Sequence, residues 1–113
     1  MSLQGTWIIW NQWQGAPPYR FRAEFSADGR ITVAGGFIGT WVQLGTSSQV
    51  SLAIANCQRT PSITSYNGNV VGYAMGGEMT GVGSRGTAVR GQWVAHHVLL
   101  LEAEEAELRE PGE

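Results

Sequence analysis

His96 and His97 are the only imidazoles in the chain, and they are adjacent. Neighbours on an extended strand point to opposite faces, so the pair cannot grip one metal ion. Their nearest carboxylates stand in the Glu-rich stretch after residue 101. A zinc site would therefore lack ligands. Cys57 lies between two neutral amides, Asn56 and Gln58, with no base to make it a nucleophile. As a lone cysteine it cannot form an intrachain disulfide. Asp28, the only aspartate, sits in a turn sequence, so a Ser–His–Asp arrangement has no acid to orient its histidine. Paired carboxylates are absent as well: Glu24 falls on a solvent-facing position and leaves Glu78 isolated. Gly81-Val-Gly83-Ser-Arg-Gly86 fits G-x-G-x-x-G, but a dinucleotide site needs a helix after that loop, and here an extended pattern follows. The residues thus predict no catalytic group, no metal and no cofactor; a non-enzymatic protein is the expectation, with an isomerase or cyclase as an alternative for which acid–base residues are lacking.

Binding chemistry is better supplied. Five tryptophans (Trp7, Trp10, Trp13, Trp41 and Trp93) are many for 113 residues. Each offers a large apolar surface and one N–H that needs an acceptor when buried. Strand parity and nearness to an end select Asn11, Trp13, Tyr19, Phe21, Gln43, Asn56, Tyr73, Met75 and His97 as candidate ligand-binding residues. Together they would line an aromatic pocket for a small apolar or aromatic molecule, oriented by a few polar groups.

The elements that must position these residues are strands. Glycine is 16 of 113 residues and charged residues only 14%, a composition suited to short strands and tight turns rather than to helices. Tyr19-Arg-Phe-Arg-Ala-Glu-Phe25 alternates cleanly, with Tyr19, Phe21, Ala23 and Phe25 on the inner face. Thr6–Trp13 likewise puts Trp7, Ile9, Asn11 and Trp13 on one side, and Ile8, Trp10 and Gln12 on the other. Further strands are expected over Arg30–Ala34, Phe37–Leu44, Gln49–Asn56, Ser62–Tyr66, Val70–Val82 and Thr87–Leu100. Asp28-Gly29, Gly35-Gly36 and Asn67-Gly68 mark hairpin turns. Eight sequential hairpin strands leave two unpaired edges, and closing the sheet removes both. The expected fold is all-β: an eight-stranded up-and-down antiparallel β-barrel over residues 1–101, with an acidic tail over 102–113, frayed or in a short helix.

Charge limits the partners. Residues 1–101 carry +3 and residues 102–113 carry −5. Seven arginines without a cluster do not make a nucleic-acid surface. No apolar run is long enough for a membrane helix, and no signal peptide is visible, so a cytoplasmic location is expected. A homo-oligomer is the expected assembly if the barrel is packed solid. Its interface would then use Val70, Val71, Tyr73 and the outward Trp10.

Gly-Thr-Trp occurs twice, at Gly5-Thr6-Trp7 and Gly39-Thr40-Trp41, and Gly91-Gln92-Trp93 stands on the last strand. Glycine-x-tryptophan opening the first strand resembles the calycin group, which comprises lipocalins, fatty-acid-binding proteins and avidins. Gly-Thr-Trp with Asn11-Gln12 close behind is nearest to the avidins. The resemblance spans residues 4–98 in outline and implies a ligand-binding barrel. It also implies an arginine of the last strand, here Arg90, stacked on the first-strand Trp7. The asparagine that contacts ligand in avidins would fall at position 9, which is isoleucine here, so biotin is not the expected ligand.

Overall fold

In the computed structural model, residues 3–56, 58–59 and 62–99 are described. Eight strands follow one another: β1 (Gly5–Trp13), β2 (Tyr19–Phe25), β3 (Arg30–Val33), β4 (Phe37–Gln43), β5 (Gln49–Ala55), β6 (Ile63–Val71), β7 (Ala74–Val82) and β8 (Ala88–His97). Each pairs antiparallel with the next, and β1 pairs with β8, so the barrel is closed. The predicted fold class is the observed one. The proposed acidic tail and Cys57 lie outside the described residues.

Alternation in the sequence becomes the inner and outer surfaces. Trp7, Ile9 and Asn11 of β1, Ala23 and Phe25 of β2, and Val50, Leu52 and Ile54 of β5 are all buried. Between them stand outward side chains such as Arg20, Arg22 and Glu24. Trp7 faces His97 in the β1–β8 register and Trp93 faces Asn11, so both indoles are inside but at different levels.

The two ends of the barrel differ. At the end where β1 begins, Leu3 is fully buried, and its carbonyl accepts the Trp7 indole N–H at 2.8 Å. Phe25 lies 6.0 Å from Trp7 and 6.5 Å from Trp41, and Trp41 donates its N–H to the Ser26 carbonyl at 2.9 Å. Every indole N–H here is satisfied by a backbone carbonyl, as burial requires. We call this the closed end. The opposite end carries the loops β1–β2, β3–β4, β5–β6 and β7–β8.

One hairpin differs from its sequence reading. Asn67-Gly68 is not a turn but the middle of β6, and β7 begins at Ala74 rather than Val70. The reversal is made by Gly72 and Tyr73, with Gly72 at φ +61°. Gly68 is opposite Gly77, and the two strands approach closely there. A Cβ on Gly68 would come 1.9 Å from the Gly76 carbonyl oxygen, and one on Gly77 would come 2.0 Å from that of Asn67. Across this pair the Trp93 indole donates to the carbonyls of Glu78 (3.0 Å) and Asn67 (3.3 Å). The glycines serve close backbone approach rather than chain reversal.

The continuous β6 also reassigns Val70. It points inward and is buried, so it offers nothing to an outer interface, whereas Val71 and Tyr73 remain exposed. Arg90 does not reach Trp7: it pairs with Thr80 near the loop-bearing end, on the outer face. The group on Trp7 is His97, edge to face at 5.1 Å.

Candidate functional site

β1 delivers Asn11 to the interior two residues before its end, and β6 delivers Tyr66 from across the barrel. The amide Nδ2 of Asn11 donates to the Tyr66 hydroxyl at 2.7 Å and to the Tyr19 hydroxyl at 3.2 Å. Trp13 adds its indole N–H to the same Tyr19 oxygen at 3.1 Å. Tyr66 is held from behind by Trp93, edge to face at 5.4 Å. Both amide protons of Asn11 are thereby used, yet its Oδ1, shielded from bulk water, has no hydrogen-bond partner. Among the described residues it is the single buried side-chain polar atom left in this condition. A buried acceptor without a partner costs about 1–3 kcal/mol, so such an atom calls for an explanation.

Asn11 borders a cavity of about 320 Å³ at the loop-bearing end of the barrel. Tyr19, Phe21, Phe37 and Tyr66 supply its aromatic wall, and Val33 and Ile54 its aliphatic one. Thr64 adds a hydroxyl. Arg59, from the β5–β6 loop, is the single charged residue of the lining among the described residues. That loop is braced: the Arg59 amide donates to the Asn56 carbonyl (3.0 Å), and the Ser62 hydroxyl donates to the Arg59 carbonyl (3.2 Å). The barrel is thus packed at its closed end and hollow near its mouth. The volume is at the lower edge of the range for small-molecule sites.

Burial pushes the Tyr66 phenol well above its ordinary pKa, and the Asn11 N–H opposes this only in part. Tyr66 therefore stays protonated at neutral pH. Its oxygen accepts from Asn11, and its O–H remains available to donate. The described lining holds no carboxylate, imidazole or thiol. What the arrangement offers is the Tyr19, Tyr66 and Thr64 hydroxyls among aromatic walls, with the Asn11 acceptor shielded beside them.

Of the residues proposed from sequence, Asn11, Tyr19 and Phe21 come together in this cavity, and Trp13 is bonded to its Tyr19. Asn56 stands at the same end, donating to the Gly35 carbonyl at 3.0 Å and capping the Gln58 amide at 3.0 Å. The other four are elsewhere. Gln43 bonds the Ser47 carbonyl in the β4–β5 turn. Met75 is buried in the core, Tyr73 is exposed in the β6–β7 turn, and His97 lies between Trp7 and Tyr73 at the closed end. Strand parity carries no sign for which end a residue approaches, so it mixed the two ends. Tyr66, Thr64, Phe37 and Arg59 were missed. The signal for Tyr66 was present: Ser62–Tyr66 ends too early once Asn67-Gly68 is taken as a turn, and only a longer strand puts Tyr66 mid-barrel opposite Leu52.

Larger hollows exist on the outside. One of about 570 Å³ runs along outward residues of β7 and β8, including Glu78, Thr80, Arg90 and Gln92. It is a surface depression without a buried polar group aimed into it. His96 faces outward against Trp10 at 5.3 Å, while His97 faces inward, so the two imidazoles diverge. No group of three or more His, Cys, Asp or Glu side chains that could hold a metal occurs among the described residues. Nor is any helix among them long and apolar enough to cross a membrane.

No protein-family model matches the chain, and no curated protein or solved structure matches it.

Proposed function

We propose that this protein is a non-enzymatic barrel that binds a small, mostly apolar or aromatic molecule in the mouth cavity. The observation that carries the reading is Asn11 Oδ1, a buried acceptor without a partner beside a hollow of about 320 Å³. A small turn of the Asn11 amide would bring that atom to the cavity surface, where a ligand N–H or O–H would satisfy it while the aromatic walls take the remaining surface. A site built to pair a polar group rejects an analogue that lacks it, because the protein group is then left unpaired. Kinship with the calycins, suggested by the Gly-Thr-Trp motifs and the closed eight-stranded meander, belongs to the same proposal.

The test is a ligand-observed NMR screen of one- and two-ring molecules, each with and without an N–H or O–H, against wild type and Asn11→Leu. Donor-bearing compounds are expected to bind wild type at least tenfold more tightly than their donor-free partners, and to lose that preference in the variant. Equal binding of both sets, or no binding at all, defeats the reading.

A homo-oligomeric module is the second reading, favoured by one outer patch. Ile38 and Ile63 flank Ala55 in register across β4, β5 and β6, and they are 69% and 58% exposed. Native mass spectrometry of the purified protein reports subunit number and any retained small molecule together.

A further inference from the structure

We infer that the ligand of the mouth cavity is an acid: a one- or two-ring molecule with a hydrogen-bond donor at its inner end and a carboxylate at its outer end, held by Arg59. This rests on the binding reading above and adds a second point of recognition to it. The cavity lining combines buried polar side chains, an exposed charge and apolar walls. On one side Asn11 and Tyr66 are buried, and Tyr19, 48% exposed, bonds Asn11 through its hydroxyl. Phe21, Phe37 and the aliphatic side chains supply the apolar walls.

At the rim Arg59 brings a full positive charge to a lining with no acidic residue. Arg30–Asp28 is the ion pair among the described residues, so Arg59 has no carboxylate partner there. A guanidinium matches a carboxylate in a two-pronged contact, which makes it the preferred anchor for a planar anion. Loop bonds at both its amide and its carbonyl fix the Arg59 backbone relative to the opening.

Charge balance favours the same class. A cationic ligand would meet Arg59 with no compensating acid among the described lining residues. A neutral one would use the inner contacts and leave the rim charge idle.

The probes are indole-3-acetate and 4-hydroxyphenylacetate, each beside its primary amide, which keeps the ring donor and the shape but removes the charge. Binding is followed by calorimetry and tryptophan fluorescence, in low salt and in 0.5 M NaCl, for wild type, Arg59→Gln and Asn11→Leu. The inference expects at least one acid to bind roughly three- to tenfold more tightly than its amide in low salt. That advantage should vanish in Arg59→Gln and shrink at high salt, while the amide's affinity is unchanged by the Arg59 substitution. If acid and amide bind alike, the acid class is overturned while the cavity reading stands. If neither acid nor amide of either pair binds wild type, both fall. Rim and floor are separated by Asn11→Leu, which should weaken acid and amide equally.

Discussion

Tyr66 gives the most direct pH signature. Its folded-state pKa lies above the ordinary tyrosine value because burial disfavours the phenolate. A raised pKa means that the folded form holds its proton more tightly than the unfolded chain. Stability from this group is therefore complete below about pH 10, the unfolded value, and is lost as pH rises beyond it. Tyr66→Phe should cost ~1 kcal/mol at pH 7 through the lost Asn11 bond. The same variant should lose less stability than wild type between pH 10 and 11.5, in urea denaturation followed by fluorescence. A parallel decline in both proteins would contradict the assignment. Another residue-scale coupling joins Gly5 to His97. Gly5 has φ +126°, and a Cβ there would come 2.2 Å from His97 Nε2. Gly5→Ala should cost more than ~2 kcal/mol from strain and contact together. Adding His97→Ala removes the contact but not the strain, so the double variant should be about 1 kcal/mol more stable than additivity demands. Neither residue's role was legible beforehand: His97 seemed a lining candidate, and Gly5 only half of a motif. The contact depends on β8 returning beside β1, which no local pattern specifies.

Strands announce themselves by alternation, and β2 is the clearest case: its seven residues have the bounds and the facing that Tyr19–Phe25 predicts. Asn67-Gly68 shows where local chemistry misleads. The dipeptide satisfies a turn, but the β5–β6 and β6–β7 ladders run through it without a break from Thr64 to Asn69. Tertiary pairing overrides the local preference, and glycine is needed there for proximity. The two kinds of glycine should separate in a stability series. Gly68→Ala and Gly77→Ala force a methyl onto a neighbouring carbonyl and should each cost ~3 kcal/mol or abolish folding. Gly72→Ala meets nothing within 4 Å and should cost only ~1–2 kcal/mol, from its positive φ alone. Reversed ranking in chemical denaturation would mean that the Asn67-Gly68 turn is real after all.

Closure of the whole molecule was inferable because joining the first strand to the last removes both edges of an eight-strand meander outright. What could not be inferred was the unequal filling of the interior. That depends on Leu3 and the Trp7–Phe25–Trp41 cluster meeting at one end, and on Asn11, Tyr19 and Tyr66 converging at the other. At this scale the outer surface can be tested without disturbing either end. Ile38→Arg with Ile63→Arg changes two exposed side chains on an already solvated face, so a monomeric barrel should keep its stability within ~0.5 kcal/mol. An oligomer built on that face would dissociate, and sedimentation velocity distinguishes the two outcomes.

Leu3 closes one end of the described barrel, so on the binding reading a ligand would enter and leave by the loop-bearing end. That end carries the connectors 14–18, 34–36 and 83–87 and the described residues of the β5–β6 loop, all outside the strand ladder. If the chain binds a ligand as proposed, exchanging those connectors should change its selectivity while the staves of the cask keep their joints.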